Sequence, residues 1–198
     1  MPGSADAFQI LFVCHANLCR SPMAELMARQ AFDETFGVLG SVVRTASAGT
    51  NAFDGSAMHD GTATVLSRCG VDPYEWRSRT VSAAVLRDAD LVLAAGREHR
   101  AACVSLAPAT VRSAFTLRQF TRMVSAVPPP PGLAERTVPA RLHALVEQVN
   151  AHRHLVPTVP PQQDDLPDPV NKPIEAFEAC AREIRQSLDA VMRVIAVA

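Results

Sequence analysis

Apolar residues recur along the chain in two alternating patterns, one typical of buried strands and the other of amphipathic helices. Short continuous apolar runs, as at residues 8–13 and 90–95, predict strands that are covered on both faces. Apolar side chains spaced three and four positions apart predict helices between the strands. We expect strands at residues 8–13, 41–48, 90–95 and 111–115. We expect helices at residues 22–36, 56–69, 82–87, 98–106, 117–127, 138–152 and 174–195.

This alternation predicts an α/β fold built as a single-domain three-layer sandwich over residues 1–198. A central parallel sheet of about four strands would carry helices on both faces. Two proline-rich stretches, residues 128–132 and 157–161, interrupt the pattern and bound a helical insertion at about residues 128–163. Its helix at residues 138–152 could be a surface addition, a lid or an interaction element, and we favour the surface addition.

Composition and charge narrow the class of protein. The 198 residues are 48% hydrophobic and 20% charged, which is typical of a globular protein, and the net charge of −1 provides no basic surface for nucleic acid. No apolar run approaches the length of a membrane span, and no secretory signal opens the chain. Five cysteines form no disulfide framework, so we expect a cytoplasmic protein. The six histidines lack zinc-ligand spacing, and we predict neither a metal nor another cofactor.

The segment from Cys14 to Ser21 carries the strongest chemical signal. It reads Cys-His-Ala-Asn-Leu-Cys-Arg-Ser and joins the first predicted strand to the first predicted helix. Backbone N–H groups can converge in such a turn, at the positive end of the helix dipole. That dipole and the nearby charge of Arg20 favour a thiolate at Cys14, and the guanidinium can hold two phosphate oxygens. The spacing predicts a cysteine-dependent phosphatase with Cys14 as nucleophile, against the alternative of a buried structural thiol.

The same segment resembles the low-molecular-weight protein tyrosine phosphatases, whose loop it matches as Cys-x5-Arg-Ser followed by Pro-x-Ala-Glu. Two further landmarks, Ser-Ala-Gly-Thr at residues 47–50 and Asp-Leu-Pro-Asp-Pro at residues 165–169, occur in the order that this family uses. The resemblance extends from about residue 8 to the C-terminal helix. It implies hydrolysis of aryl phosphate monoesters through a cysteinyl-phosphate intermediate. The expected substrate is a phosphotyrosine protein or a small aryl phosphate.

The resemblance also implies roles outside the nucleophile and the clamp. Asp168 matches the general acid, held over the pocket by its flanking prolines. Ser21 matches a hydroxyl that steadies the thiolate, although a simple helix N-cap is the competing interpretation. Phe53 matches an aromatic wall beside the substrate ring, with core packing as its alternative. Asp164 and Asp165 are expected to be solvated neighbours of the acid.

Within the loop, the remaining residues would shape and support the phosphate cradle. Asn17 tolerates the left-handed backbone that a tight loop needs. His15 would tune the electrostatics, and Ala16 and Leu18 would contribute backbone. Cys19 would either form a reversible disulfide with Cys14 or simply fill space.

The chain departs from the family pattern around the site. Val170 and Asn171 follow the Asp-Pro pair in place of tyrosines, Trp76 replaces a histidine that supports the loop asparagine, and Gly96 replaces an aspartate. These changes leave open a phospho-ligand binding module or a weakly active, degenerate phosphatase. An arsenate reductase on the same scaffold is less favoured, because it needs closely spaced further cysteines. The cysteines outside the loop are separated in sequence, at Cys69, Cys103 and Cys180.

Overall fold

The computed structural model describes residues 7–196, which form one parallel sheet of four strands in the order β2-β1-β3-β4. The strands are β1 (Phe8–Cys14), β2 (Val43–Gly49), β3 (Leu91–Ala94) and β4 (Ala114–Thr116). The helices are α1 (Arg20–Phe36), α2 (Asp60–Arg68), α3 (Ala83–Arg87), α4 (Arg97–Leu106), α5 (Leu117–Ala126), α6 (Val138–His152), α7 (Pro161–Asp164) and α8 (Ile174–Ile195).

Strand β1 lies at the centre of the sheet and supplies both layers of the core. Phe8, Ile10 and Phe12 point into the larger apolar cluster, whereas Leu11 and Val13 point into the smaller one. The strand is apolar at nearly every position because successive side chains face opposite sides of a sheet that is covered twice.

Helices cover both faces of the sheet, as the sequence predicts. Apolar side chains of α1, α2, α5, α6 and α8 fill the larger cluster, and those of α3 and α4 fill the smaller one. The predicted three-layer α/β sandwich with a parallel sheet of four strands is therefore confirmed.

The predicted bounds of two strands are wrong. A 3-10 helix, Gly37–Val42, occupies the start of the expected second strand, and a second one, Pro108–Arg112, occupies the first two positions of the expected fourth. Gly40 explains the first difference, since a Cβ there would lie 2.5 Å from the carbonyl oxygen of Phe32 and the chain turns tightly against α1. Proline at the start of Pro108–Arg112 favours a helical turn in the second case.

Helix α6 has the predicted bounds but not the favoured role of a surface addition. Leu142, Leu145 and Val149 are buried in the larger cluster, and His143 packs edge-on against Phe8 with ring centroids 4.7 Å apart. Burial of each such aliphatic side chain contributes roughly 1.5–3 kcal/mol. The helix is a structural part of the core.

Candidate active site

The Cys14 loop lies at the carboxyl edge of the sheet, where ligands bind in open parallel sheets. Cys14 ends β1 and α1 begins at Arg20, so residues 15–19 form the connection. Carbonyl groups at both ends of this connection accept hydrogen bonds from residues outside it. Thr50 N–H donates to Cys14 O at 2.9 Å, and His59 N–H donates to Leu18 O at 3.0 Å.

The amide groups of the same loop are free, in contrast to its carbonyls. Within residues 7–196, the backbone N–H groups of residues 15–19 donate to no protein acceptor. Consecutive free N–H groups at the start of a helix form a concave site for an anion. A phosphoryl group is an anion that such a cradle can satisfy.

Asn17 holds the loop in shape from its interior. It is fully buried and has a φ of 55°, the left-handed conformation expected for it. Its Oδ1 accepts from the backbone of Arg79 at 2.9 Å, and its Nδ2 donates to Ser21 Oγ at 2.9 Å and Ser47 Oγ at 2.8 Å.

Glycine at position 49 lets the second strand pass under the loop. Gly49 pairs with Cys14 in the sheet, and a Cβ on it would lie 2.5 Å from His15 O. A larger residue would therefore push the loop away, which is the physical basis of the Ser-Ala-Gly-Thr landmark.

Ser21 contacts the proposed nucleophile and is not the N-cap of α1. The helix begins at Arg20 with Cys19 at the N-cap, so Ser21 lies one position inside it. Its Oγ is 2.9 Å from Cys14 Sγ and accepts from Asn17 Nδ2, and its own proton has two acceptors within reach, the sulfur at 2.9 Å and the Ala48 carbonyl at 3.4 Å. The N-cap interpretation of Ser21 is wrong.

Behind Asn17, one oxygen of the buried Glu25 carboxylate accepts two hydrogen bonds, and the other oxygen accepts from Arg29 Nη2 at 3.1 Å. Ser47 Oγ donates to Glu25 Oε2 at 2.6 Å, and Trp76 Nε1 donates to the same oxygen at 2.9 Å. Trp76, which stands where the resemblance expects a histidine, thus supports Asn17 indirectly, through Glu25 and Ser47.

Arg20 and Asp168 meet across the mouth of the loop. Arg20 Nη2 lies 2.5 Å from Asp168 Oδ2, and Arg20 Nη1 donates to Leu166 O at 3.2 Å. The arginine side chain is 9% exposed and the aspartate side chain 40% exposed. The fold therefore brings the expected clamp and the expected acid together, over 148 positions of sequence.

The two aspartates before the acid are bound to protein, so the expectation that they are solvated is wrong. Asp164 is buried and pairs with Arg122 at 2.9 Å. Asp165 Oδ1 accepts from the backbone N–H of Arg97 at 2.7 Å, beside Gly96. The resemblance expects an aspartate at position 96, where this chain has glycine. A Cβ built on Gly96 would lie 3.0 Å from Asp165 Oδ1, so the carboxylate of Asp165 occupies the space beside Gly96.

The other expected loop residues surround the cradle with different exposure. His15 is exposed, Ala16 and Leu18 are half-buried, and Cys19 is buried at the start of α1. Burial raises the pKa of Cys19 to about 11, against a smaller lowering by the Thr62 hydroxyl. Cys14 and Cys19 are both free thiols in the structure.

Phe53 projects from the loop after β2 and does not pack in the core. Its side chain is 83% exposed, while its carbonyl accepts from the hydroxyls of Ser56 and Ser78. The alternative of core packing is therefore wrong, and the ring is free to contact a ligand.

Comparison with known protein families matches the amino-acid sequence of this chain to one family. Residues 9–135 match the family model described as "Low molecular weight phosphotyrosine protein phosphatase". The chain belongs to the low molecular weight phosphotyrosine protein phosphatase family. It is an enzyme, a protein tyrosine phosphatase.

Curated relatives of this phosphatase come from several bacteria. It is 33% identical over 111 residues to "Probable low molecular weight protein-tyrosine-phosphatase EpsP" of Ralstonia solanacearum, covering 56% of this chain and 71% of the other. It is 41% identical over 96 residues to the low molecular weight protein-tyrosine phosphatase A of Mycobacterium tuberculosis strain H37Rv, covering 48% of this chain and 56% of the other.

Solved structures share the fold of the phosphatase over nearly its full length. A low molecular weight protein tyrosine phosphatase from T. tengcongensis is 25% identical with a TM-score of 0.66, covering 94% of this chain and 99% of the other. The YwlE arginine phosphatase of Geobacillus stearothermophilus is 26% identical with a TM-score of 0.65, covering 94% and 91%.

Sequence reasoning does not assign four residues that the structure brings to the site of this phosphatase. Glu25 and Ser47 appear in matched motifs, but their mutual hydrogen bond becomes visible only in three dimensions. Arg79 binds Asn17 through its backbone N–H, which no sequence pattern reveals. His99 is 2% exposed with its ring centroid 6.4 Å from that of His15, and a lone histidine in a helix carries no signal in sequence.

Two classes of feature are absent from the described residues of the phosphatase. No helix among them is long and apolar enough to cross a membrane. No group of three or more His, Cys, Asp or Glu side chains within residues 7–196 is arranged to hold a metal ion.

Proposed function

We propose that this phosphatase hydrolyses phosphotyrosine through a cysteinyl-phosphate on Cys14, with Arg20 as clamp and Asp168 as general acid and base. The observation that carries the proposal is the row of unpaired N–H groups at residues 15–19, which follows directly after the Cys14 thiol. Those donors and the Arg20 guanidinium would bind the three non-bridging oxygens of the phosphoryl group.

In the first step, the Cys14 thiolate attacks phosphorus, an S–P bond forms and the P–O bond to the tyrosine breaks. The phosphoryl oxygens carry negative charge, so they replace Asp168 as the partner of Arg20. The freed Asp168, in its protonated form, donates its proton to the departing phenolic oxygen.

In the second step, water attacks phosphorus and the S–P bond breaks to give inorganic phosphate. Asp168, now a carboxylate, accepts the proton of the attacking water. The Ser21 hydroxyl, 2.9 Å from Cys14 Sγ, donates to the sulfur as negative charge returns to it.

Exposed Phe53 supports an aromatic substrate. The ring follows the carboxyl end of β2, on the edge of the sheet that carries the Cys14 loop, and would stack on the phenyl group of phosphotyrosine.

The proposal includes a cytoplasmic location, because a thiolate nucleophile must stay reduced. It also includes a single domain, with the proline-bounded insertion at about residues 128–163.

A second candidate substrate is phosphoarginine, favoured by the structural likeness to the YwlE arginine phosphatase at 26% identity. Two peptides of one sequence, one carrying phosphotyrosine and the other phosphoarginine, would separate the candidates. We expect kcat/KM to be higher for the phosphotyrosine peptide, and the reverse order would reassign the substrate.

The first experiment is hydrolysis of p-nitrophenyl phosphate by the wild type, Cys14→Ser and Asp168→Ala, with Cys69→Ser as a matched control. We expect turnover by the wild type and the control, none by Cys14→Ser and strongly reduced turnover by Asp168→Ala. If the wild type were no faster than Cys14→Ser yet bound vanadate, the protein would be a phospho-ligand binding module.

An arsenate reductase has less support. Its thiol relay needs further reactive cysteines, but burial raises the pKa of Cys103 to about 11 and that of Cys180 to about 12. Both are therefore poor nucleophiles at neutral pH.

A further inference from the structure

A cavity of about 590 Å³ lies beyond β3 and β4, separate from the Cys14 loop, since none of residues 14–21 lines it. Its walls come from the first turn of α4, from α5 with its N-cap Thr116, and from residues 153–159 after α6. The volume is within the range of small-molecule sites.

The charge of this cavity is strongly positive. Four arginines line it: Arg97, Arg100, Arg122 and Arg153. Two carboxylates also line it, but Asp164 is already paired with Arg122, and the Glu98 side chain is 84% exposed. Among the residues that the structure describes, the guanidinium groups of Arg97, Arg100 and Arg153 therefore have no ion-pair partner.

Two of these three guanidinium groups are held in place, and within the described residues none has all its N–H donors satisfied. Arg100 Nε donates to Ala114 O at 2.6 Å, and the Arg153 guanidinium lies 5.6 Å from the centroid of the Phe115 ring. Among the described residues, no protein acceptor meets the Nη atoms of Arg100 or the guanidinium groups of Arg97 and Arg153. The three arginines line the same cavity, and burial, followed by the charges of Arg153 and Arg97, lowers the pKa of Arg100.

A neutral polar group on the same wall also lacks a partner. Gln119 lines the cavity, and its Oε1 is buried without a hydrogen bond within the described part of the chain. The amide can present either oxygen or nitrogen after a half-turn, so it can accept from a hydroxyl of a ligand or donate to a ligand oxygen.

We propose that this cavity is a second anion site, which binds the phosphate group of a phosphorylated ligand independently of the Cys14 loop. The phosphate would bridge Arg97, Arg100 and Arg153, relieving their mutual repulsion and using their planar donor pairs. Gln119 would contact the part of the ligand next to the phosphate. The ligand is either a free phosphorylated compound or a phosphorylated residue of a peptide, and both present the same group.

The test is titration of the ¹⁵N-labelled wild type with inorganic pyrophosphate and, separately, with a phosphoserine peptide at constant ionic strength, followed by NMR. The Cys14 loop is expected to bind these probes as well, so the second site is identified by its own resonances. We expect a separate set of shift changes at Arg97, Arg100, Gln119 and Arg153, with its own Kd. A lower Kd for pyrophosphate would indicate a free compound, and a lower Kd for the peptide would indicate a phosphorylated protein.

The matched variants are Arg97→Gln/Arg153→Gln at the site and Arg87→Gln on α3 as the control. We expect the double variant to raise the Kd of the second set at least tenfold, while the loop shifts and the turnover of p-nitrophenyl phosphate stay as in the wild type. Arg97→Gln alone, at an exposed side chain, repeats the test if the double variant is unstable. Absence of the second set, or an unchanged Kd in the variants, would overturn the proposal without affecting the proposed catalytic function.

Discussion

The guanidinium of Arg20 and the carboxylate of Asp168 are hydrogen-bonded to each other, with Nη2 and Oδ2 2.5 Å apart. Without substrate, the proposed clamp and the proposed acid are therefore each other's ion-pair partner. Binding of a phosphoryl group must exchange one anion for another on Arg20, and the same exchange releases Asp168 for proton transfer.

Replacing Asp168 by Ala separates these two roles. We expect kcat/KM for a phosphotyrosine peptide, which excludes the second step shared by all substrates, to fall about 10²- to 10⁴-fold, the range for loss of a general acid. The fall should be smaller for p-nitrophenyl phosphate, since nitrophenolate leaves without a proton. The inhibition constant of inorganic phosphate should not rise, because Arg20 loses a competing anion. Steady-state kinetics beside Asp189→Ala, an exposed position on α8, measures all three, and equal losses for both substrates would contradict the acid role.

Replacing Ser21 by Ala removes the hydroxyl beside Cys14. A hydrogen bond to a charged group contributes about 1.5–3 kcal/mol, so we expect kcat to fall roughly 10- to 100-fold. Exposed Ser67→Ala on α2 is the control, and steady-state kinetics with p-nitrophenyl phosphate measures both variants. An unchanged kcat in Ser21→Ala would contradict a role of the hydroxyl at the sulfur.

Glu25 is expected to be a stability residue rather than a catalytic one. Glu25→Ala would leave the Ser47 hydroxyl and the Trp76 N–H without their acceptor, at a cost of about 2–4 kcal/mol in the free energy of unfolding. Trp76→Phe should cost about 1 kcal/mol from the lost hydrogen bond, whereas Trp76→His keeps a ring N–H donor and should lose only the packing contacts of the larger indole ring. Urea unfolding measures each value, and an unchanged midpoint for Glu25→Ala would show that the buried contacts contribute nothing net.

The three thiols whose pKa is raised by burial, those of Cys19, Cys103 and Cys180, should be unreactive at neutral pH. With the pKa of Cys19 near 11, roughly one molecule in ten thousand carries its thiolate at pH 7. We expect iodoacetamide to alkylate Cys14 and to spare Cys19, Cys103 and Cys180, as measured by mass spectrometry of the native protein. Alkylation of Cys19 at a rate comparable to that of Cys14 would contradict this expectation.

The disulfide between Cys14 and Cys19 stays a prediction, and the raised pKa of Cys19 determines how its formation should depend on pH. Peroxide would oxidise Cys14 to a sulfenic acid, and attack by the Cys19 thiolate would then form the S–S bond, break the S–O bond and release hydroxide, which solvent protonates to water. We expect the fraction of activity recovered with dithiothreitol to be larger at pH 9 than at pH 7. In Cys19→Ser, this rise with pH should be absent; its persistence there would exclude Cys19 as the partner.

His99 should make the protein less stable in mild acid. Burial, followed by the charge of Arg20, lowers its pKa below the ordinary value of 6.5. As pH falls through 6.5, the unfolded chain takes up a proton that the folded protein does not, so stability decreases until the lower folded pKa is reached. Urea unfolding at pH 7.5 and pH 5 should show a smaller decrease for His99→Phe than for the wild type. The exposed His154→Phe is the control, and equal decreases in all three would remove His99 as the cause.

The amino-acid sequence alone predicts the local features of this protein well. Apolar periodicity gives the order of strands and helices, and α6 and α8 have the predicted bounds because each has a continuous helical pattern. The Cys14 loop is also readable, since its nucleophile, clamp and supporting residues lie within eight consecutive positions. Errors occur where short segments, at Gly37–Val42 and Pro108–Arg112, follow tight packing and proline rather than periodicity.

The tertiary structure decides which distant residues serve the loop. Asp168 is 148 positions from Arg20 and Trp76 is 51 positions from Glu25, and both pairs form only because the sheet edge and α1 bring them together. The burial of α6 and the arginine-lined cavity likewise depend on packing between elements that are remote in sequence. Local patterns determine which elements form because propensity and periodicity act over a few residues. Hydrogen bonds and charge clusters between residues remote in sequence depend on which side chains the packed elements bring into contact. Only the folded chain determines those contacts.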